Sequence, residues 1–136
     1  MPFAQLDRLT LAYDDIGAGP NTLLLVHGHP FDRTMWRPQL EHLRDSGWRG
    51  YGQSTVVPGT TTLDVFAHDL AALLDHLGVA DVVIGGLSMG GQIVMSFAQR
   101  FPRRLRGVLL AATFPQAETA DGKRRRNEMA DRLVRE

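Results

Sequence analysis

Leu9, Leu11 and Tyr13 alternate with Thr10, Ala12 and Asp14, and this period of two predicts a strand. The pattern then changes. "TLLLV" (22–26), "DVVIG" (81–85) and "GVLLAA" (107–112) are short continuous apolar runs, as expected of strands buried on both faces. Between them the spacing is helical. Trp36, Leu40 and Leu43 recur on one side, with Gly47 as a C-terminal cap. After a loop-like tract from Gly50 to Thr60, Thr61 and Asp64 form a capping box. Leu63, Phe66, Leu70, Leu73, Leu74 and Leu77 then line one helix face, which Gly78 closes. Residues 89–100 fit another helix, stopped by Pro102. The segment from Glu118 to Glu136 is charged and helical, with Met129, Leu133 and Val134 as its modest apolar side. Strands alternating with helices predict an α/β fold, a mostly parallel sheet flanked by helices.

Composition narrows this picture by exclusion. A length of 136 residues corresponds to a single domain, 1–136, and a hydrophobic fraction of 43% is that of a globular protein. Fifteen basic and fifteen acidic residues cancel, so neither nucleic acid nor an anionic membrane is an expected partner. The basic run "GKRRRNE" (122–128) is flanked by Glu118, Asp121 and Asp131 and reads as a solvated helix face. The absence of cysteine excludes disulfides and thiol chemistry. No His/Asp/Glu cluster has ligand spacing, so neither metal nor cofactor is expected. No apolar run approaches the roughly 20 residues of a membrane span, and the first ten residues lack the pattern of a secretory signal. A cytoplasmic protein is the expectation.

The chemistry concentrates in "VVIGGLSMGGQ" (82–92), where Ser88 lies between Gly86 and Gly90, after an apolar strand and before a helix. Small flanking residues permit a tight strand-to-helix turn that lifts the hydroxyl clear of the sheet. The N-terminus of the following helix favours negative charge developing at the same spot. The competing reading is a Gly-rich turn whose serine merely caps that helix.

A second motif, "LLLVHGHPFD" (23–32), ends an apolar strand in His-Gly-x-Pro. Together the two motifs resemble the α/β-hydrolase family, in its esterase, cofactor-free haloperoxidase and enol-lactonase branch. The resemblance runs from about residue 9 to residue 115 and implies that Ser88 is the nucleophile. It makes the backbone N–H groups of Met89 and His29 the oxyanion hole, with His27 and Gly28 shaping that loop. Residues 1–115 would be the core part of the domain and residues 116–136 the start of a cap. Small esters or lactones are the implied substrates. A serine nucleophile argues against the dehalogenase and epoxide-hydrolase branches, which carry an aspartate there.

Two parts of the family pattern are missing from these residues. The triad runs in the order Ser, Asp or Glu, His, yet His27, His29, His42, His68 and His76 all precede Ser88. Of these only His29 lies on a loop expected beside Ser88, and there it reads as a backbone donor. Asp32, near the same mouth, has no imidazole to orient. In addition, "SGWRGYGQS" (46–54) passes from a helix straight into a loop that in the family follows a central strand. That strand is absent, and the gap falls between the N-terminal strand pair and the strand carrying "HGHP". The later strands of the family are likewise missing, which leaves sheet edges open to association. The expectations are therefore a serine hydrolase impaired by its missing Asp and His, an inactive fragment or pseudoenzyme, or half of a split enzyme completed by another chain.

Overall fold

In the computed structural model, which describes residues 3–6, 9–17, 19–44, 53–54 and 61–135, the three apolar runs become one parallel sheet. Strands β3 (Leu23–Val26), β5 (Val82–Leu87) and β6 (Leu105–Ala111) lie in the order β3-β5-β6. The register pairs Leu24 with Ile84 and Ile84 with Val108. A second sheet is antiparallel. Its order is β1-β2-β4, from β1 (Phe3–Leu6), β2 (Leu9–Ala12) and the two-residue β4 (Gln53–Ser54). The alternation over residues 9–14 marks β2, whereas β1, its partner in the expected N-terminal strand pair, carries no such alternation from which its bounds could be read.

Among the described residues nothing joins the two sheets edge to edge, and β3 is paired only with β5. Gln53 and Ser54 pair with Ala12 and Leu11 of β2. Most of the Gly50–Thr60 tract lies outside the described residues, as does the cap expected at Gly47.

Helices bridge what the strands do not. Helix α2 (Leu63–His76) and helix α3 (Met89–Arg100) cover one face, where Ala4, Leu11, Leu24, Leu74, Ile84, Val94 and Phe97 form a single core drawn from both sheets. Phe97, Leu24, Leu74 and Ile84 are fully buried, each contributing roughly 1.5–3 kcal/mol by leaving water. On the opposite face a 3-10 turn (Arg33–Trp36) leads into α1 (Arg37–Arg44), and Trp36 and Leu40 pack on Leu23, Leu25 and Val83.

The start of α2 corrects the expected capping box. Thr62 is the cap and its hydroxyl accepts from the Val65 N–H at 3.3 Å, one position beyond Thr61. The end of α2 is as expected. Gly78 adopts φ +65°, its N–H donates to the Asp75 carbonyl, and the Val79 N–H donates to that of Leu74. Arg104 then ties this corner to the entry of β6, donating to the carbonyls of Ala80 and Val79 and to the Asp75 carboxylate at 2.6–2.7 Å. The charged C-terminal segment forms α4 (Ala120–Arg135), with Met129 exposed. No helix among the described residues is long and apolar enough to cross a membrane.

Candidate functional site

The C-terminal edge of the parallel sheet brings the two motifs together. β5 ends at Leu87 and α3 begins at Met89, so Ser88 alone makes the turn, with φ +54° and ψ −117°. A non-glycine residue held there costs about 1–3 kcal/mol and persists only where its surroundings fix it. They do. The Ser88 N–H donates to the Ala111 carbonyl at 2.9 Å, and the Ser88 carbonyl accepts from the Gln92 N–H at 3.2 Å and the Thr113 hydroxyl at 2.7 Å.

The glycines serve close approach. A Cβ on Gly86 would run into the Gly90 carbonyl, and a Cβ on Gly90 would meet the carbonyl of His27 at 2.6 Å. From the other motif, a Cβ on Gly28 would stand 2.8 Å from the Leu87 carbonyl oxygen and 3.2 Å from Ser88 Cβ. The "HGHP" loop therefore lies directly against the turn that carries Ser88. That loop closes through the Phe31 N–H, which donates to the Gly28 carbonyl at 2.9 Å, and contains a cis His29–Pro30 peptide.

Ser88 occupies the N-cap position of α3, yet its side chain makes no capping hydrogen bond. The reading in which this serine merely caps a helix is thereby set aside. Met89, the first residue of α3, has an N–H with no acceptor inside the helix. His29 is exposed, one residue beyond the Gly28 contact. His27 is half-buried, with Nδ1 3.3 Å from the Gly28 carbonyl.

Among the described residues no hydrogen bond reaches the Ser88 hydroxyl. His42, His68 and His76 are exposed. His68 sets its ring edge-on to Phe101 at 5.2 Å and places Nδ1 2.8 Å from the Asp64 carbonyl. Asp32 caps the 3-10 turn, accepting from the Thr34 N–H and hydroxyl at 2.8 and 2.6 Å. Trp36 is a core residue of the opposite face. A cavity of about 240 Å³ lies over Asp14, Ile16, Arg33, Thr34, Arg37, Leu40 and Glu41, and its lining includes neither Ser88 nor His29. The one residue of the turn that sequence reading missed is Thr113, a polar residue just after an apolar strand.

The likeness to known proteins follows the same outline. A family model described as alpha/beta hydrolase fold matches residues 21–127. The chain is 33% identical over 117 residues to the non-heme chloroperoxidase CPO-A1 of Kitasatospora aureofaciens, covering 80% of this chain and 42% of that protein. It is 32% identical over 117 residues to 3-oxoadipate enol-lactonase 2 of Acinetobacter baylyi, covering 82% and 39%. A thermophilic esterase from Thermogutta terrifontis, solved with malate bound, superposes with a TM-score of 0.92 at 37% identity, covering 100% of this chain and 54% of that one. The chain spans about half the length of the relatives it matches, or less.

Proposed function

The chain belongs to the α/β-hydrolase fold family, and from that premise we propose that Ser88 is the nucleophile of a serine hydrolase for small esters or lactones. The observation that carries this reading is the strained backbone of Ser88, which turns the chain between Gly86 and Gly90 with its side chain released from helix capping. Ser88 Oγ attacks the substrate carbonyl carbon and releases its proton to solvent water. The tetrahedral oxyanion forms against the backbone N–H groups of Met89 and His29. The leaving alkoxide takes a proton, and water then releases the acyl group from Ser88. His27, Gly28, Gly86 and Gly90 hold the two loops at contact distance. Residues 1–115 form the core part of the domain and residues 116–136 the start of a cap.

In the chain alone the proton acceptor is water rather than an imidazole. All five histidines precede Ser88, so these residues supply no base in the family's order. Acting alone, the chain keeps the share of catalysis that comes from the oxyanion hole and binding, ~10³–10⁴-fold over water. A second reading, a half that needs a complementary chain to supply Asp and His, is favoured by β6. Val108, Leu109 and Leu110 are about half exposed on that strand, on both of its faces. An inactive pseudoenzyme is what remains if neither holds.

Intact mass before and after a serine-directed fluorophosphonate, beside Ser88→Ala, separates the three. One adduct on the chain alone, lost in Ser88→Ala, is expected of an activated Ser88. An adduct only after adding the C-terminal half of the Thermogutta terrifontis esterase identifies the split reading. No adduct in either case leaves the inactive one.

A further inference from the structure

Resting on the reading of Ser88 and the Met89 N–H just given, we propose that Thr113 is the positioning residue of the oxyanion hole. The register of β5 and β6 runs to Leu87 opposite Ala111, and at Ala112 the chain breaks from it with φ +45°. That bend returns Thr113 to the turn. Its hydroxyl donates to the Ser88 carbonyl at 2.7 Å. Its side chain fills the space left by Gly91, where a Cβ would stand 2.5 Å from Thr113 Cγ2. Thr113 is half-buried, so its donor competes with little water.

The consequence follows from the peptide plane. The Ser88 carbonyl and the Met89 N–H belong to one trans peptide, rigid and planar, and point in opposite directions across it. A donor that fixes the carbonyl oxygen on one side therefore fixes the direction of the N–H on the other. The Gln92 N–H alone cannot do this. It belongs to the helix and follows whatever tilt the first turn adopts, whereas Thr113 belongs to the strand and refers the plane to the sheet. The hydroxyl of Thr113 touches no reacting atom. It acts through the Met89 N–H.

Residual dipolar couplings of backbone amides, measured for the chain and for Thr113→Val and Thr113→Ser, test the geometry without reference to activity. The Met89 coupling is expected to change in Thr113→Val, to return to the parent value in Thr113→Ser, and to move far more than those of Ile93–Phe97. Thr113→Ala replaces Thr113→Val where the latter does not fold. In parallel, the second-order rate of fluorophosphonate labelling at Ser88 is expected to fall about tenfold in Thr113→Val and to be rescued by Thr113→Ser. One neutral hydrogen bond corresponds to about 2–10-fold, and outright loss of an oxyanion donor to ~10²–10³-fold. An unchanged Met89 coupling in Thr113→Val overturns the proposal whatever the labelling does. A changed coupling with no labelling of the parent chain keeps Thr113 as the group that sets the peptide plane and sinks the reading in which the chain alone is an active hydrolase. A changed coupling with an unchanged labelling rate overturns the link to the oxyanion hole.

Discussion

Ser88 sits at φ +54°, ψ −117°, a conformation that glycine adopts without penalty and other residues avoid. Three hydrogen bonds on its two backbone groups hold it there. The hydroxyl takes no part in them, so the strain stabilises nothing in the fold itself. Replacing Ser88 by Gly is therefore expected to stabilise the chain by about 1 kcal/mol, the relief of strain exceeding the extra entropy of an unfolded glycine. Ser88→Ala, which keeps a Cβ, leaves stability near the parent value. Urea unfolding midpoints of the three proteins check this, and a less stable Ser88→Gly contradicts the assignment of strain. At this scale Ser88 and its glycines were legible because close backbone approach excludes side chains, and that exclusion is written directly as Gly-x-Ser-x-Gly. Thr113 was not legible. A threonine after an apolar strand is chemically indistinguishable from any turn residue until the register of β5 and β6 sets it beside Ser88.

Between elements, the pairing of α2 with α3 rests on Asp64 as well as on the shared core. Its carboxylate accepts from the Ser96 hydroxyl and from Arg100, which also forms an ion pair with it. Sequence reading placed Asp64 in a capping box because Thr61 stands three residues before it. The partners that claim it are 32 and 36 residues away and become neighbours only when the two helices pack. The hydrogen bond from Arg100, then that from Ser96, holds the Asp64 carboxyl below the usual aspartate range. Folding thus lowers the affinity of this group for a proton, and its stabilising contribution is complete above the ordinary aspartate pKa. It disappears as pH falls from there through the depressed folded value. Glu118, held low by its hydrogen bond from Arg126 of α4, acts in the same direction. The urea midpoint is accordingly expected to decline with acidification across that window and to decline less steeply in Asp64→Asn. Parallel slopes for the two proteins would remove Asp64 from the account.

Over the whole molecule, the same helices that unite the two sheets on one face leave the far end of the parallel sheet bare. "GVLLAA" carries the composition of a strand covered on both faces, which is why it was read as buried. A strand of that kind needs a neighbour on each side, and among the described residues β6 has only β5. Val108 and Leu110 on one face are 41% and 50% exposed, and Leu109 on the other is 54% exposed, with Phe114 beyond the strand equally open. The sequence thus revealed the apolar character of the strand but not its exposure, because composition records what a strand is suited to contact and not whether that contact is present. An uncharged edge of this length, with free backbone donors and acceptors, is a template for pairing with another strand. Arg106, the charged residue in the strand, lies near its start, donating to Asn21 and paired with Asp81, and so does not guard the middle. The chain is therefore expected to self-associate through β6, with a sedimentation coefficient that rises with concentration. Leu109→Lys places a charge at the centre of the edge, on the face away from α2 and α3, and is expected to return the protein to a single slow species without lowering its unfolding midpoint. A parent chain that sediments as a monomer at every concentration would show that the edge is closed by residues of the chain itself. A Leu109→Lys protein that still associates would move the contact to another open edge, such as that of β3.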